Sequence, residues 1–399
     1  MNRKTSLIIM LTMVIVLSVT LLAGCSSKPS YTEDPESLLN FVGKIVRWMH
    51  SWVGNYGWTV VVFTVFLKLI TLPLDFWQRV SARKTSEMMS KMQPLLDEID
   101  TVYSKDPQRA AREKQKVYQK YGFSASGSCL PMIITMVVFF VMFGGLTSYS
   151  NYNSVVNYQQ LSSYYNSEYT ALVKEQPAYQ EYYDGYIAEG LDTTAAHDKA
   201  LRDFYENNIQ LNNQLKDEVL LKIPQYYQEH HESWLWIQNI WQPDTWAPIM
   251  VDYQTFVNNF NNEGIENYVN EMEYNNIRNA VLGSTDRSWN GLMILPLMSV
   301  GLSFLSIFIS QLLDKKKGAP APANDTQART NRSMMIIMPL MMAFFGFMYT
   351  GAFAVYMVFN YMLSIIATVA LKVPVEKIVA KSVAKADSRA GTQKESYKR

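Results

Sequence analysis

Trp58-Thr-Val-Val-Val-Phe-Thr-Val-Phe-Leu-Lys68-Leu-Ile-Thr-Leu-Pro73-Leu74 decides how this chain is read. A helix needs about 20 predominantly apolar residues to cross a hydrocarbon core of ~30 Å, and the block from Trp58 to Trp77 supplies them. Near its middle stands a lysine. A charge at that depth costs about 2.5–3.5 kcal/mol on insertion scales, so such residues usually face a bundle interior or water. The other reading is snorkelling, because Lys68 lies ~10 Å from the nearer end of the block at ~1.5 Å per residue, and a lysine stem covers much of that distance.

Working outward, four more blocks reach spanning length, at about Leu130 to Ser148, Leu292 to Leu313, Met334 to Thr350 and Ala352 to Leu371. The last two are separated only by Thr350-Gly351 and form a tight hairpin. Pro73, Pro131, Pro296 and Pro339 fall inside or at the start of blocks, which membrane helices tolerate where neighbours satisfy the freed carbonyl. The expected spans are 58–77, 130–148, 291–313, 333–350 and 352–371, giving an all-α polytopic membrane protein.

The bulk averages conceal this. The 399 residues are 48% hydrophobic and 18% charged with a net charge of +1, close to an ordinary soluble chain. Two cysteines exclude a disulfide-dense scaffold, and neither sits in a CxxC pair. A neutral total argues against an ordinary basic nucleic-acid binder unless opposite charges are segregated. They are. Residues 75–128 carry ten Lys+Arg against seven Asp+Glu, residues 149–290 seven against twenty, residues 314–332 five against two, and residues 372–399 eight against three. By the positive-inside rule the stretches after the first, third and fifth spans are cytoplasmic, and the acidic region 149–290 lies outside.

The N-terminus agrees with that orientation. Arg3 and Lys4 precede an apolar run from Leu7 to Leu22 and then Leu22-Ala23-Gly24-Cys25, the layout of a secretory signal. Leu-Ala-Gly-Cys resembles the bacterial lipobox, which implies a signal peptide over 1–24 and an acylated Cys25; an uncleaved signal-anchor is the alternative. In the extracellular segment 25–57, Leu38, Phe41, Val42, Ile45, Met49, Trp52 and Val53 fall on one helical face. With Trp48 and Trp52 nearby, this reads as an amphipathic helix in the outer interface or, alternatively, one covering a domain.

Residues 78–129 read as a cytoplasmic helical hairpin. Met88, Met92, Leu95, Leu96, Ile99, Val102 and Tyr103 make one stripe, Asp106-Pro107 starts a second helix, and Gly122 stands where it would end. Region 149–290 holds 16 of the 25 tyrosines and helical-looking pieces such as Ala195 to Leu221, with no strand-rich or catalytic pattern. His230 and His231, flanked by Glu229 and Glu232, are adjacent and share no helix face, a poor metal arrangement. The expectation is a protein that is not an enzyme and uses no cofactor or metal.

Polar stripes accompany Lys68. Ser299, Ser303, Ser306 and Ser310 recur through the third span; Tyr356, Asn360, Ser364 and Thr368 stand four apart in the fifth; the second carries Thr135, Gly144, Gly145 and Thr147. They line a polar cavity, or they serve small-residue helix packing with local Ser/Thr back-bonding, which accounts poorly for Asn360 and Lys68. The spans show one cation and no obvious counter-ion.

In order, these features resemble the YidC/Oxa/Alb membrane-protein insertases in their Gram-positive lipoprotein form. The resemblance rests on the lipobox, Lys68 with Leu72-Pro73, the hairpin ending near Lys120-Tyr121-Gly122, Gly127-Ser-Cys129-Leu-Pro131, Leu295-Pro296, Met338-Pro339, and Gly351 to Ile366 with Tyr356 and Asn360. Trp234-Leu-Trp236 through Pro243-Asp244 is similar to a stretch the family has ahead of the third span. The resemblance implies a five-transmembrane-helix insertase core, with a hydrophilic groove open to cytoplasm and lipid and closed outside. In that groove a cation at the Lys68 position attracts acidic parts of incoming segments, and Lys68 here replaces the family's usual arginine. Tyr356 matches a groove-facing tyrosine, and Thr135 a usually polar position; Ser299, Ser303 and Asn360 complete the expected groove. Implied partners are nascent membrane-protein clients, the ribosome, the Sec translocon and membrane lipids, with no small-molecule substrate and no specific nucleic-acid readout. The mainly helical extracellular insertion at 149–290 is much larger than usual for such members. Competing readings are a small-solute transporter or channel subunit, for which inverted repeats and coupling-ion ligands are missing, and a lipoprotein receptor acting through the extracellular region.

Overall fold

A computed structural model describes residues 34–121, 126–259, 268–283, 289–315, 340, 344 and 346–396. The expected signal segment, Cys25, Gly122 and most of the fourth block lie outside the described residues, as does the Thr135 side chain. Helices dominate, in the order α1 (Phe41–Val53), α2 (Tyr56–Val102), α3 (Pro107–Lys120), α4 (Ser126–Lys174), α5 (Pro177–Ala188), α6 (Thr193–Asn207), α7 (Ile209–His230), α8 (Tyr253–Asn258), α9 (Glu271–Gly283), α10 (Ile294–Lys315), α11 (Gly351–Ala370) and α12 (Lys372–Ser396). Among the described residues the only β pairing is two isolated bridges, Trp234 with Ile237 and Pro248 with Trp289. The fold is an all-α membrane protein, and α2, Ile294–Leu313 of α10, and α11 are long and apolar enough to cross a bilayer.

Two helices are far longer than a bilayer crossing needs. At 1.5 Å per residue, the 47 residues of α2 extend about 70 Å, so a continuous helix both crosses and projects. Its projecting half pairs with α3, whose Asp106 cap accepts from the Arg109 amide at 3.0 Å, with Pro107 following as read from the sequence. The hairpin's apolar stripe is covered from within the chain. Met88, Met92 and Leu96 are buried against Val375, Val379 and Val383 of α12, so the basic tail is a docked helix; Val102, further along the stripe, stays exposed.

The 49-residue α4 likewise continues from the bundle into the tyrosine-rich insertion. There Val155, Tyr158, Leu161, Tyr165 and Tyr169 of α4 share a core with Leu215, Val219 and Ile223 of α7 and with Tyr274 and Ile277 of α9. The helical piece expected over Ala195 to Leu221 is two helices, broken at Asn208 with φ −122° and ψ 47°. Asn207-Asn208 side chains compete for backbone hydrogen bonds and favour such ends.

Helix α1 is set by Asn40, whose Oδ1 accepts from Gly43 N at 2.7 Å while Nδ2 donates to Gly144 O at 3.0 Å. It approaches α4 closely, because a Cβ on Gly145 would lie 2.2 Å from a Val42 methyl. The contact face is rotated from the expected stripe. Val46 is fully buried, whereas Phe41 and Trp52 are more than 70% exposed. Close approach at the glycines selects the packing face and leaves large apolar side chains outward, where an aqueous surface would not favour them.

Candidate functional site

The bundle has one sealed end. Tyr56, at the start of α2, stacks on Trp241 with ring centroids 4.1 Å apart and meets Tyr149 edge-on at 5.1 Å. Glu232 accepts from Tyr56 N at 3.0 Å and lies 3.1 Å from His50 Nε2, while His50 Nδ1 meets the Tyr149 hydroxyl at 2.5 Å. The stretch expected to precede the third span wedges between helices, with Trp234, Ile237, Ile240 and Trp241 buried. Asp244 ends it, completely buried, and accepts from Leu292 N at 2.8 Å, Met293 N at 3.2 Å, Leu295 N at 2.8 Å and the Trp236 indole at 3.2 Å. It caps the start of α10, where backbone N–H groups have no helical partner and negative charge is favoured. Asn290 pins the same loop, accepting from Asn239 N at 2.7 Å and donating to the carbonyls of Asn239 and Pro243.

Away from that end lies a charged face. Lys68, Asp75 and Arg79 are seven and eleven residues apart, which at 100° per residue returns each to within about 20° of the same direction. That face turns to α11. Lys68 Nζ is 2.5 Å from Asp75 Oδ2 and donates to Ser364 Oγ at 2.9 Å. Arg79 donates to Thr368 Oγ1 at 2.8 Å and to Ser364 O at 3.4 Å. The Lys68–Asp75 contact is an ion pair whose angles miss those of a hydrogen bond, leaving Asp75 Oδ2 and Arg79 Nε buried without an aligned partner. The Lys68 and Asp75 side chains are 13% and 15% exposed, so the pair is shielded but not sealed.

The expected lone cation without a counter-ion is thereby corrected. Asp75 is that counter-ion, counted in the sequence with the hydrophilic segment because it sits where the apolar block ends. The lysine stem does run along α2 toward the hairpin, but it ends on a carboxylate about two turns away.

The other candidate residues are placed unequally. Asn360 is half-buried on α11, one turn before Ser364. Tyr356, one turn earlier again, is 8% exposed and packs among Phe353 and its neighbours. Ser299 and Ser303 are buried in α10 and donate into their own helix, to Pro296 O and Val300 O at 2.7 Å each. A cavity of about 290 Å³ adjoins Arg79 and Thr368 on the hairpin side, lined also by Arg83, Ser86, Ser310 and Lys372. A larger one of about 390 Å³ on the insertion is lined by Gln159, Gln160, Ser163 and Tyr164 without a charge. Residues that sequence reading missed are Asp75 and Arg79; their i, i+7, i+11 spacing from Lys68 was the available signal. His230 and His231 each bond a carbonyl of their own helix, and His197 contacts the Tyr179 hydroxyl at 2.5 Å.

Comparison with known proteins bears on the same segment. Residues 48–183, which carry Lys68, Asp75 and Arg79, match the family model described as 60Kd inner membrane protein. The membrane protein insertase YidC of Caldanaerobacter subterraneus is 33% identical over 114 residues, 29% of this chain and 53% of that protein. Its namesake from Chlorobaculum parvum is 34% identical over 99 residues, 25% of this chain and 16% of that protein. For the Helicobacter pylori namesake the figures are 30% over 110 residues, 27% and 19%. The matched part thus spans about half the length of the first relative and less than a quarter of the other two. The segment that bears the charged face, residues 48–183, thus lies within the match to the 60Kd inner membrane protein model, and parts of this chain are similar to YidC membrane protein insertases.

Proposed function

We propose that the protein is a non-enzymatic insertase and chaperone of the bacterial cytoplasmic membrane, taking nascent membrane-protein segments into a hydrophilic groove along the Lys68 face of α2. The observation that carries this is a shielded but not sealed cation in a membrane-crossing helix, Lys68, held against the Ser364 hydroxyl of α11, with Arg79 of the same face on the Thr368 hydroxyl. Five spans form the core, the described three together with residues 130–148 and 333–350. The aromatic end faces outward and the hairpin and tail inward, in keeping with the positive-inside distribution. Tyr356, Asn360, Ser299, Ser303 and Thr135 belong to the groove wall or to its immediate support.

Such a groove lowers the barrier for a hydrophilic end by offering partial hydration and one attracting charge, then releases the apolar part sideways into lipid. No bond is made or broken. The exposed Phe41, Trp48 and Trp52 of α1 lie in the outer interface, an acylated Cys25 anchors the chain on the same side, the hairpin and basic α12 meet the ribosome or anionic lipid, and the protein works alone or with the Sec translocon. In cells depleted of their own insertase, Lys68→Ala should fail to insert single-span clients with acidic translocated ends, and full rescue would sink the groove-charge role. The receptor alternative is separated by removing most of 149–290 while keeping 233–244: loss of insertion would favour it, retained insertion the groove.

A further inference from the structure

We infer that Asp75 is the resident occupant of Lys68, so that client capture is an exchange of carboxylates on one ammonium and Asp75 sets which segments win. This rests on the insertase reading and names a selectivity element within it. Lys68 has two polar contacts, Asp75 Oδ2 at 2.5 Å and Ser364 Oγ at 2.9 Å. The only other cation near that carboxylate among the described residues is Arg79, which is already engaged with Thr368 and Ser364. The Lys68 charge is therefore already balanced by Asp75, and an incoming carboxylate must compete with it for the ammonium.

The arrangement is built for leaving. The ion pair is short but poorly aligned, and Asp75 Oδ2 accepts no hydrogen bond from any other donor. A carboxylate held through backbone N–H groups, as Asp244 is, would not move; Asp75 is held by charge alone. Its tether gives it a high local concentration at Lys68, so a neutral polar segment cannot displace it. An incoming Asp or Glu can, because charge is conserved in the exchange and no buried ammonium is left unpaired at any stage. The released Asp75 has Arg79 one turn further along α2 as its next partner. Capture thus discriminates by carboxylate, and Asp75 raises the threshold that a client must meet.

The test uses the full-length protein in membrane vesicles, with a photo-crosslinker at Asn360 and ribosome-bound single-span clients whose translocated end carries either two Asp or two Asn. Asp75→Asn should raise crosslinking of the Asp client several-fold and leave the Asn client unchanged. Asp75→Glu, which keeps the carboxylate, should match the parent and controls for folding, alongside monodispersity of each variant on size exclusion. Lys68→Ala and Lys68→Ala/Asp75→Asn should capture the Asp client equally poorly. If Asp75→Asn loses capture as Lys68→Ala does while Asp75→Glu is normal, Asp75 positions the lysine and the exchange idea is overturned. It is overturned equally if Asp75→Asn matches the parent while Lys68→Ala fails. Should Lys68→Ala itself capture normally, the groove-charge reading falls and the exchange with it.

Discussion

Replacing Asp244 tests whether the sealed end is held by hydrogen bonds rather than by its aromatic packing. The carboxylate is completely buried and accepts from three backbone N–H groups at the start of α10 and from the Trp236 indole. Asp244→Ala orphans all four donors. A lost N-cap costs ~1 kcal/mol and each buried unsatisfied group about 1–3 kcal/mol, and water entering the vacated space recovers part of that, so the net loss should be about 3–5 kcal/mol. Asp244→Asn keeps one acceptor oxygen and should cost about 1–2 kcal/mol. Read as thermal unfolding in detergent by intrinsic fluorescence, with Trp236 and Trp241 beside the lesion, the alanine variant should melt roughly 5–15 °C early. Gly291 supplies an internal check. A Cβ there would sit 2.0 Å from Asp244 Oδ1 and 2.8 Å from its Cα, so Gly291→Ala should cost less in the Asp244→Ala background than alone, the Cα overlap remaining in both. An alanine variant at 244 that melts within ~1 °C of the parent would refute the reasoning.

Gly145→Ala should destabilise by about 1–3 kcal/mol through overlap with Val42, and Val42→Ala should restore only part of the loss in the same melting assay, because the Val42 Cβ, 2.6 Å from the added methyl, remains. Val379→Asp places a charge at a fully buried site facing Met88 and Met92; the lost apolar contact and the desolvated carboxylate together exceed ~2 kcal/mol, so α12 should undock and be cut by trypsin far faster than in the parent. In the insertion, burial and then Lys174 hold the His197 pKa below its ordinary value of 6.5. The unfolded chain therefore binds the proton first, and the insertion should lose stability as pH falls from about 6.5 through the folded-state pKa; His197→Gln should flatten that slope in pH-dependent melts.

What was legible in the sequence followed from periodicity, and what was missed followed from summing charge. Lys68 stands out because one lysine interrupts an apolar block, and the Tyr356, Asn360, Ser364, Thr368 stripe because residues four apart share a helix face. Asp75 and Arg79 were invisible because a charge count assigns each residue to one side of a boundary, whereas a helix carries its face straight through it. The docking of the tail was missed similarly. Eight basic residues drew attention to external partners, while Val375, Val379 and Val383, also four apart, are the face that docks on the hairpin. Ser299 and Ser303 have the right spacing for a polar wall, yet in α10 their hydroxyls find carbonyls one turn back, a bond that spacing alone does not distinguish from a groove contact.

The two ends of α2 differ in which polar groups are left wanting. At the sealed end the buried atoms without a partner are neutral indole nitrogens, those of Trp234 and Trp241, while the charged groups there, Asp244 and Glu232, each accept at least one backbone N–H. On the Lys68 face the unsatisfied atoms belong to charged groups, Asp75 Oδ2 and Arg79 Nε. An unpaired indole costs less than an under-satisfied charge and stays where packing puts it, whereas the charge keeps a standing demand for water or for a new partner. A chain under selection for stability alone would replace the Lys68–Asp75 pair with apolar residues of similar volume, since buried pairs of that kind are often neutral or worse for folding. Its presence in a membrane-crossing helix, opposite a tightly capped end, is in keeping with the proposed exchange of carboxylates on Lys68 rather than with a role in holding the bundle together.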